Sequence, residues 1–225
     1  MQVAEKFISI NGEGLRAGQP CAFIRFAGCN LSCSWCDTTW ANGPDCPVED
    51  EDIDQLVDWV ASSGVLCATL TGGEPLLQPR LAELADALLA IDGLRVEIET
   101  NGAVDIEPIV RYRQGLGDAS CLALTLDCKT PSSGMSGQML WGNYEVLCSN
   151  DAVKFVCASH EDLAYAKNVI DKYNLQQRTN ALLSPVFGSI EPVEIVEFML
   201  KSGLNGARLQ LQMHKIVWPP EMRGV

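Results

Sequence analysis

The chain has 225 residues, of which 47% are hydrophobic and 20% are charged, proportions typical of a globular protein with one α/β domain or two small ones. Its net charge of −13 argues against a nucleic-acid surface, which requires clustered lysine and arginine side chains. No apolar run approaches the ~20 residues of a membrane span, and residues 1–6 do not resemble a signal peptide. We therefore expect a cytoplasmic protein with no membrane or nucleic-acid partner, whose ten cysteines are metal ligands or buried side chains.

Apolar runs alternate with helical patterns along the whole chain. A short apolar run at 7–10 and a glycine turn at 11–14 come first, and the acidic residues 49–52 are predicted to begin a helix. Strands are predicted at 21–26, 65–70, 95–98, 121–126, 152–157, 181–186 and 208–213. Helices are predicted from 53, at 81–89 and 106–112, from 159, and at 193–201. The segment 130–142, with scattered proline, serine and glycine, is predicted to be irregular.

This alternation indicates βαβ units and a mostly parallel sheet. The length and number of units favour a partial (β/α)6-type barrel in a single domain, residues 1–225, over a full eightfold barrel. Four polar or glycine-rich loops follow predicted strands: the cysteine loop 29–36, then 71–75, 99–102 and 127–129. Because parallel strands end at one edge of a sheet, these loops are expected to meet there and form a site.

Three thiols, those of Cys29, Cys33 and Cys36, lie within eight residues of one loop. Thiolates are ligands for zinc, copper(I) or iron–sulfur clusters. A closed zinc site needs four ligands, and Cys46, ten residues further on, is the nearest additional cysteine. A zinc site completed by Cys46 or a histidine is thus one alternative. The other is a four-iron cluster, on which three cysteines leave one iron open for a cofactor.

The spacing Cys29-x3-Cys33-x2-Cys36, followed by Gly72-Gly73-Glu74-Pro75, resembles the radical S-adenosylmethionine (SAM) superfamily. The resemblance to one family within it, the 7-carboxy-7-deazaguanine synthases, extends from about residue 4 to the end of the chain. It rests on these motifs, in order: Asn11-Gly-Glu-Gly14, Arg25-Phe-Ala-Gly-Cys29, Trp35-Cys-Asp-Thr38, Thr71-Gly-Gly-Glu-Pro75, Glu99-Thr-Asn-Gly102 and Gln212-Met-His-Lys215.

The resemblance implies an enzyme that converts 6-carboxy-5,6,7,8-tetrahydropterin to 7-carboxy-7-deazaguanine with loss of ammonia, on the route to queuosine and other deazapurines. It also implies a four-iron cluster, SAM and Mg²⁺, an electron donor such as flavodoxin or ferredoxin, and a homodimer. Two rivals are a glycyl-radical activating enzyme, which would need a large protein partner, and a non-catalytic zinc-binding module.

The resemblance also implies roles for individual residues. The cluster ligands would be Cys29, Cys33 and Cys36, and Thr38 would bind Mg²⁺. SAM would contact Trp35, Cys36, Asp37, Gly73, Asp127, Cys128, Lys129 and Ser184. The pterin would contact Ile10, Asn11, Gly12, Glu13, Arg25, Thr71 and His214.

Some of these residues have a structural alternative, and several positions depart from the family, which often has a Gln near Ser184-Pro185. Glu13 binds the pterin or caps a turn, Lys154 serves the site or pairs with a core acid, and His214 is either a site or a core histidine. A carboxylate at Glu99, directly after a buried strand, would be costly if unpaired and is expected to be functional. Family members often have Gln at the position of Asn11 and Ser-Pro-Lys in place of residues 127–129.

Overall fold

The computed structural model describes residues 1–43, 45–117 and 119–225, which contain one continuous sheet. Its strands are β1 (Gln2–Ile10), β2 (Pro20–Phe26), β3 (Glu49–Asp50), β4 (Cys67–Gly72), β5 (Arg95–Thr100), β6 (Leu122–Asp127), β7 (Ala152–Cys157), β8 (Asn180–Pro185) and β9 (Ala207–Leu209). Their order in the sheet is β3-β1-β2-β4-β5-β6-β7-β8-β9. The strands from β2 to β9 in this order are parallel, while β1 is antiparallel to both β2 and β3.

Helices connect most of the parallel strands. They are α1 (Ile53–Ser63), α2 (Leu81–Leu89), α3 (Glu107–Gln114), α4 (His160–Lys172), α5 (Leu175–Arg178), α6 (Pro192–Ser202) and α7 (His214–Val217). Between β6 and β7 the chain forms short 3-10 turns at 131–133, 136–138 and 141–145, in agreement with the irregular segment predicted there. The predicted fold class, a mostly parallel α/β sheet of the partial-barrel type, is confirmed, and the seven predicted strands correspond to the seven parallel strands of the sheet.

Three local predictions were wrong. Cys148 is neither buried nor in the cysteine loop, because it lies exposed in the loop before β7. The last strand ends at Leu209 rather than at 213, because the Met213 N–H donates to the Gly12 carbonyl (3.0 Å) and takes the chain away from the sheet edge. Most of the acidic segment 49–52 does not lie at the start of the helix, because residues 49–50 pair with β1 and form strand β3. Asp52 alone takes the N-terminal position of α1, where its N–H donates to Gln55 Oε1 at 2.8 Å.

The two faces of the sheet differ in chemistry. One face, represented by Ile24 on β2 and Ile98 on β5, packs against the apolar residues of the helices, such as Leu56 and Leu84, in one core. Each of these side chains is fully buried and contributes about 1.5–3 kcal/mol relative to exposure. No helix among the described residues is long and apolar enough to cross a membrane.

The opposite face carries polar side chains near the carboxyl ends of the parallel strands. Cross-strand register brings these residues together in pairs: Arg25 with Thr71, Glu99 with Thr125, and Asp127 with Lys154. Because side chains alternate between faces along a strand, these residues all point away from the helix-packed core. The uncovered face therefore forms the polar wall of a cavity.

Candidate active site

A cavity of about 650 Å³ opens at the carboxyl edge of the parallel strands. Its lining includes the cysteine loop, the loops after β4, β5 and β6, and the C-terminal residues 220–225. Of the residues assigned to cluster, cofactor, substrate or magnesium from the sequence, all except Cys128 and Ser184 line this cavity. The tertiary structure thus brings residues from nearly the whole chain to one place.

The glycine motif after β4 packs directly against the backbone that leads into the cysteine loop. The Gly73 N–H donates to the Phe26 carbonyl at 3.0 Å, and the Glu74 N–H donates to the Gly28 carbonyl at 2.8 Å. A Cβ atom on Gly73 would lie 2.0 Å from the Gly28 carbonyl oxygen. Glycine is required here because the two backbones approach more closely than any side chain would allow.

Glu74 anchors this part of the site, a role that the sequence did not reveal. Its side chain is fully buried and accepts hydrogen bonds from the N–H groups of Leu76 (3.0 Å) and Asn101 (2.7 Å) and from the Thr100 hydroxyl (2.8 Å). Burial raises the pKa of this carboxyl, and the three donors oppose that shift. Glu74 therefore fixes the loop after β5 relative to the glycine motif.

The cysteine thiols face nitrogen donors. Asn101 Nδ2 donates to Cys29 Sγ at 3.5 Å, the Leu31 N–H donates to the same sulfur at 3.4 Å, and Asn42 Nδ2 lies 4.0 Å from Cys36 Sγ. Iron–sulfur clusters are held by thiolates whose sulfurs accept such hydrogen bonds. The donor set of this loop, three soft ligands with surrounding N–H groups, fits a cluster.

The same residues do not form a site for a single ion. Within the described ranges, no three side chains of the His, Cys, Asp or Glu type are grouped closely enough to bind one metal ion. Cys46 does not line the cavity, and its thiol faces the Pro47 carbonyl at 3.4 Å. The three thiols line one cavity. Burial raises the pKa of both the Cys33 and the Cys36 thiols, while Lys129 lowers it.

Two ion pairs line the cavity beside the thiols. Lys129 Nζ lies 2.5 Å from Asp127 Oδ2, and Lys154 Nζ lies 3.2 Å from Glu13 Oε2. Burial disfavours the charged form of Lys154, but Glu13, Asp127 and Glu99 outweigh it and raise the pKa of the amine. Glu13 thus forms an ion pair with Lys154 instead of capping a turn. The acid that pairs with Lys154 therefore lines the cavity and does not lie in the core.

Two residues that line the cavity, Asn42 and Asp127, each have a buried side-chain oxygen without a hydrogen-bond partner among the described residues. Asp127 Oδ1 is buried and has no hydrogen-bond donor within the part of the chain that the structure describes. Burial raises the pKa of the Asp127 carboxyl, but Lys129 and Lys154 more than offset it and the pKa is lowered. An ionised acceptor at the cavity wall fits the hydroxyl or amino groups of a cofactor such as SAM.

Other residues assigned to the substrate also line the cavity and contact one another or their neighbours. Arg25 Nε donates to Glu5 Oε1 at 2.8 Å, and the Thr71 hydroxyl donates to Glu99 Oε2 at 3.0 Å. His214 lies against the turn at 11–14, where a Cβ on Gly12 would be 2.2 Å from its Nδ1 atom. Burial lowers the pKa of His214 and keeps the imidazole neutral.

Thr38 follows the cysteine loop, and its hydroxyl donates to Asp37 Oδ1 at 2.9 Å. Because this contact uses the proton, the oxygen lone pairs remain for a hard cation such as Mg²⁺. Lys215 Nζ holds the other Asp37 oxygen at 3.3 Å. The C-terminal tail also reaches this region, where the Arg223 guanidinium lies 4.5 Å above the ring of Trp40.

Two assigned residues lie behind the cavity wall. The Cys128 side chain is fully buried in the helix-packed core, where burial raises the pKa of its thiol to about 12. Its thiol therefore faces away from the cavity, and only its backbone lies in the loop that borders it. Ser184 is also fully buried and donates to Glu13 Oε1 at 3.4 Å, so its hydroxyl acts on a lining residue.

A protein-family model described as the radical SAM superfamily matches residues 23–134. With three thiols on one loop, the glycine motif beside it and a parallel sheet, this match defines a radical SAM protein, a class that uses a four-iron cluster and SAM. A 7-carboxy-7-deazaguanine synthase of Clostridium acetobutylicum is 46% identical over 224 residues, covering 100% of this chain and 99% of the relative. The chain belongs to the 7-carboxy-7-deazaguanine synthase family.

Further relatives with the same name support this assignment. The protein of Chlorobaculum tepidum is 36% identical and covers 100% of this chain and 97% of its own length. That of Methanospirillum hungatei is 37% identical, with 98% and 86% coverage. A crystal structure of QueE from Escherichia coli matches with a TM-score of 0.70 over 95% of this chain and 94% of that chain, at 20% identity, which shows the fold.

Proposed function

We propose that this chain converts 6-carboxy-5,6,7,8-tetrahydropterin to 7-carboxy-7-deazaguanine with release of ammonia. The observation that carries the proposal is a single cavity lined both by the three thiols and by Arg25, Thr71 and His214, the side chains that would form its pterin end. Full-length similarity to relatives named for this activity supports it further. A glycyl-radical activating enzyme would act on a protein partner, and that activity would not explain the polar side chains at the pterin end of the cavity.

The residues present indicate how the site holds its components. Cys29, Cys33 and Cys36 hold the cluster, while Asp127 and Lys129 contact SAM together with Gly73 and the loop at 35–37. When bound there, the cluster and SAM would supply radical chemistry for abstracting hydrogen from the substrate. Arg25 binds the substrate carboxylate, since a guanidinium grips a carboxylate through two hydrogen bonds.

Other residues orient the pterin in the cavity. The neutral imidazole of His214 and the backbone of residues 10–12 form one side of the pterin end of the cavity, and the Thr71–Glu99 pair forms another. Glu13, which bridges Lys154 and Ser184, keeps a positive charge close to where the substrate binds. Thr38 would hold Mg²⁺ through its hydroxyl oxygen, a hard ligand of the kind that this ion prefers.

The same family assignment supports the remaining components. We propose a single domain spanning residues 1–225, a homodimer in the cytoplasm, and a one-electron donor such as flavodoxin or ferredoxin that reduces the cluster.

An anaerobic assay tests the function. The reconstituted, reduced protein is incubated with carboxytetrahydropterin, SAM and Mg²⁺, and we expect 7-carboxy-7-deazaguanine and ammonia, with SAM regenerated. A Cys33→Ala variant, which lacks one cluster ligand, is the matched inactive control. Formation of 5′-deoxyadenosine without deazaguanine would contradict the substrate assignment, and a colourless, zinc-loaded protein after anaerobic purification would contradict the radical chemistry.

A further inference from the structure

A carboxylate lies beneath the pterin end of the cavity and has no role in the site described so far. Glu97 is on β5, two residues before Glu99 and on the same face, and it is 1% exposed. Its Oε1 accepts a hydrogen bond from the Thr125 hydroxyl at 2.5 Å, and its Oε2 accepts one from Asn11 Nδ2 at 3.2 Å. Glu97 therefore holds the Asn11 side chain in place through a hydrogen bond.

The turn at residues 11–14 is shaped to keep this contact. Gly14 has φ of +74°, and a Cβ on it would lie 2.8 Å from Glu97 Oε1. A side chain at Gly14 would collide with the carboxylate and would also strain the backbone. The turn is thus built directly over Glu97.

The carboxamide of Asn11 has one acceptor and two N–H donors, and both donors point to the cavity floor. Nδ2 lies 3.2 Å from Glu97 Oε2 and 3.4 Å from Thr69 Oγ1. Asn11 lines the cavity, and no donor among the described residues occupies its Oδ1. The oxygen is consequently the polar atom that Asn11 offers to a ligand.

Glu97 selects this orientation. A carboxamide can turn by 180° and exchange its oxygen for its nitrogen, and a hydroxyl such as that of Thr69 accepts either arrangement. A carboxylate oxygen accepts from N–H but repels a carbonyl oxygen. When Glu97 is protonated on Oε1, that O–H can donate a hydrogen bond to the Thr125 hydroxyl oxygen, so that Oε2 stays an acceptor for Asn11.

We propose that Glu97 is a positioning residue for the substrate: it holds the Asn11 carboxamide with its oxygen toward the cavity, where that oxygen accepts an N–H group of the reduced pterin. This inference rests on the proposed function. It assigns substrate orientation to a residue that does not touch the substrate.

The test is a double-mutant cycle on the cluster-loaded protein, with KM and kcat for carboxytetrahydropterin and equilibrium binding of the same compound as readouts. Glu97→Leu removes the acceptor and should raise KM and Kd about tenfold, the loss of one hydrogen bond, with a smaller effect on kcat. Glu97→Gln should stay within about twofold, because its carbonyl accepts from Asn11 while its amide donates to Thr125. In an Asn11→Ala background, Glu97→Leu should have no further effect on KM.

Two further variants separate positioning from folding. Glu51→Leu removes another buried carboxylate, paired with Lys6 at 2.5 Å and absent from the cavity lining, and should leave KM unchanged. If Glu97→Leu does not fold, a second experiment exchanges the carboxylate and the amide between positions 97 and 11, in the double variant Asn11→Asp, Glu97→Gln. Asn11→Asp alone brings two carboxylates together and should raise KM, and adding Glu97→Gln should restore binding because the new amide donates to the aspartate.

The outcomes are distinct. Three results would overturn the inference and leave the proposed function standing. The first is an equal effect of Glu97→Leu on KM in the wild-type and Asn11→Ala backgrounds, and the second is an increase in KM from Glu97→Gln as large as that from Glu97→Leu. The third is a failure of Glu97→Gln to restore binding in the Asn11→Asp protein. A wild-type protein that neither binds nor converts carboxytetrahydropterin would overturn the proposed function itself.

Discussion

The carboxamide of Asn101 donates a hydrogen bond to the Cys29 thiol, with Nδ2 3.5 Å from Sγ, although 72 residues separate them in the chain. The orientation of the amide is defined, because the Ala103 N–H donates to Asn101 Oδ1 at 2.9 Å. Glu74 in turn fixes the backbone of Asn101. The glycine motif is therefore connected through Glu74 and Asn101 to the Cys29 thiol, a proposed ligand of the cluster.

This contact predicts an effect on the reduction potential. Hydrogen bonds to the sulfurs stabilise the reduced, more negative state of an iron–sulfur cluster. Asn101→Leu should therefore lower the midpoint potential by about 60 mV, equivalent to a tenfold change for a one-electron couple, in a titration followed by electron paramagnetic resonance. Asn42→Leu is the matched comparison and should shift it less, because Asn42 Nδ2 is 4.0 Å from Cys36 Sγ. An unchanged midpoint in Asn101→Leu would contradict this role.

Thr38 is predicted to serve magnesium and not the cluster. Thr38→Ala should raise the Mg²⁺ concentration needed for half-maximal turnover about tenfold, since one oxygen ligand is lost, while the visible absorbance of the cluster stays the same. Thr39→Ala, which changes the adjacent exposed threonine, is the control and should behave as wild type. A loss of cluster absorbance in Thr38→Ala would show that the residue supports the cluster loop instead.

Glu74 is predicted to be the most important single carboxylate for the stability of the site. Glu74→Ala leaves the N–H groups of Leu76 and Asn101 and the hydroxyl of Thr100 without their acceptor, and should lower the free energy of unfolding by about 3 kcal/mol or more. Anaerobic urea denaturation measures this. Glu83→Ala, at an exposed Arg80–Glu83 pair on α2, should change stability little. Similar losses in the two variants would contradict the anchoring role.

Glu97 predicts a pH-dependent difference in stability. Burial raises the pKa of Glu97 to about 7 in the folded protein, and Glu99 adds to the shift while Arg16 opposes it; the buried thiols Cys21 and Cys67 also face the group. A carboxyl with a raised pKa stabilises the fold below its unfolded pKa of about 4.5, and that contribution is lost as the pH rises through about 7.

Glu97→Gln cannot ionise, so its stability relative to wild type should increase between pH 5 and pH 8, by up to about 3 kcal/mol. Urea denaturation at the two pH values measures the difference, with Glu51→Gln as the control. A constant difference at both pH values would contradict the shift. The hydrogen bonds to Asn11 and Thr125 should persist in Glu97→Gln, because the amide can donate to one and accept from the other.

Much of the site could be predicted because its motifs are local. The spacing of Cys29, Cys33 and Cys36, the glycines before Glu74 and the alternation of strands with helices are each contained in a few residues. Parallel strands necessarily end at one edge, so the convergence of their loops followed from the pattern. The alternation Glu97-Ile98-Glu99 also contained a usable signal, since residues two apart on a strand share a face.

Other features depend on contacts between distant parts of the chain. The sequence alone indicated the fold class, because periodicity specifies it, and the resemblance carried by its short motifs indicated the class of chemistry and the three thiols proposed as cluster ligands. Three contacts became known only from the tertiary structure. They are the ion pair of Glu13 with Lys154, the hydrogen bond from Asn101 to Cys29 Sγ, and the hydrogen bond from Asn11 to Glu97. It also turned the chain away from the sheet after Leu209, where backbone hydrogen bonding to Gly12 replaced a strand that periodicity favoured. No local pattern specifies such contacts, because each depends on how separately formed strands and loops pack around one cavity.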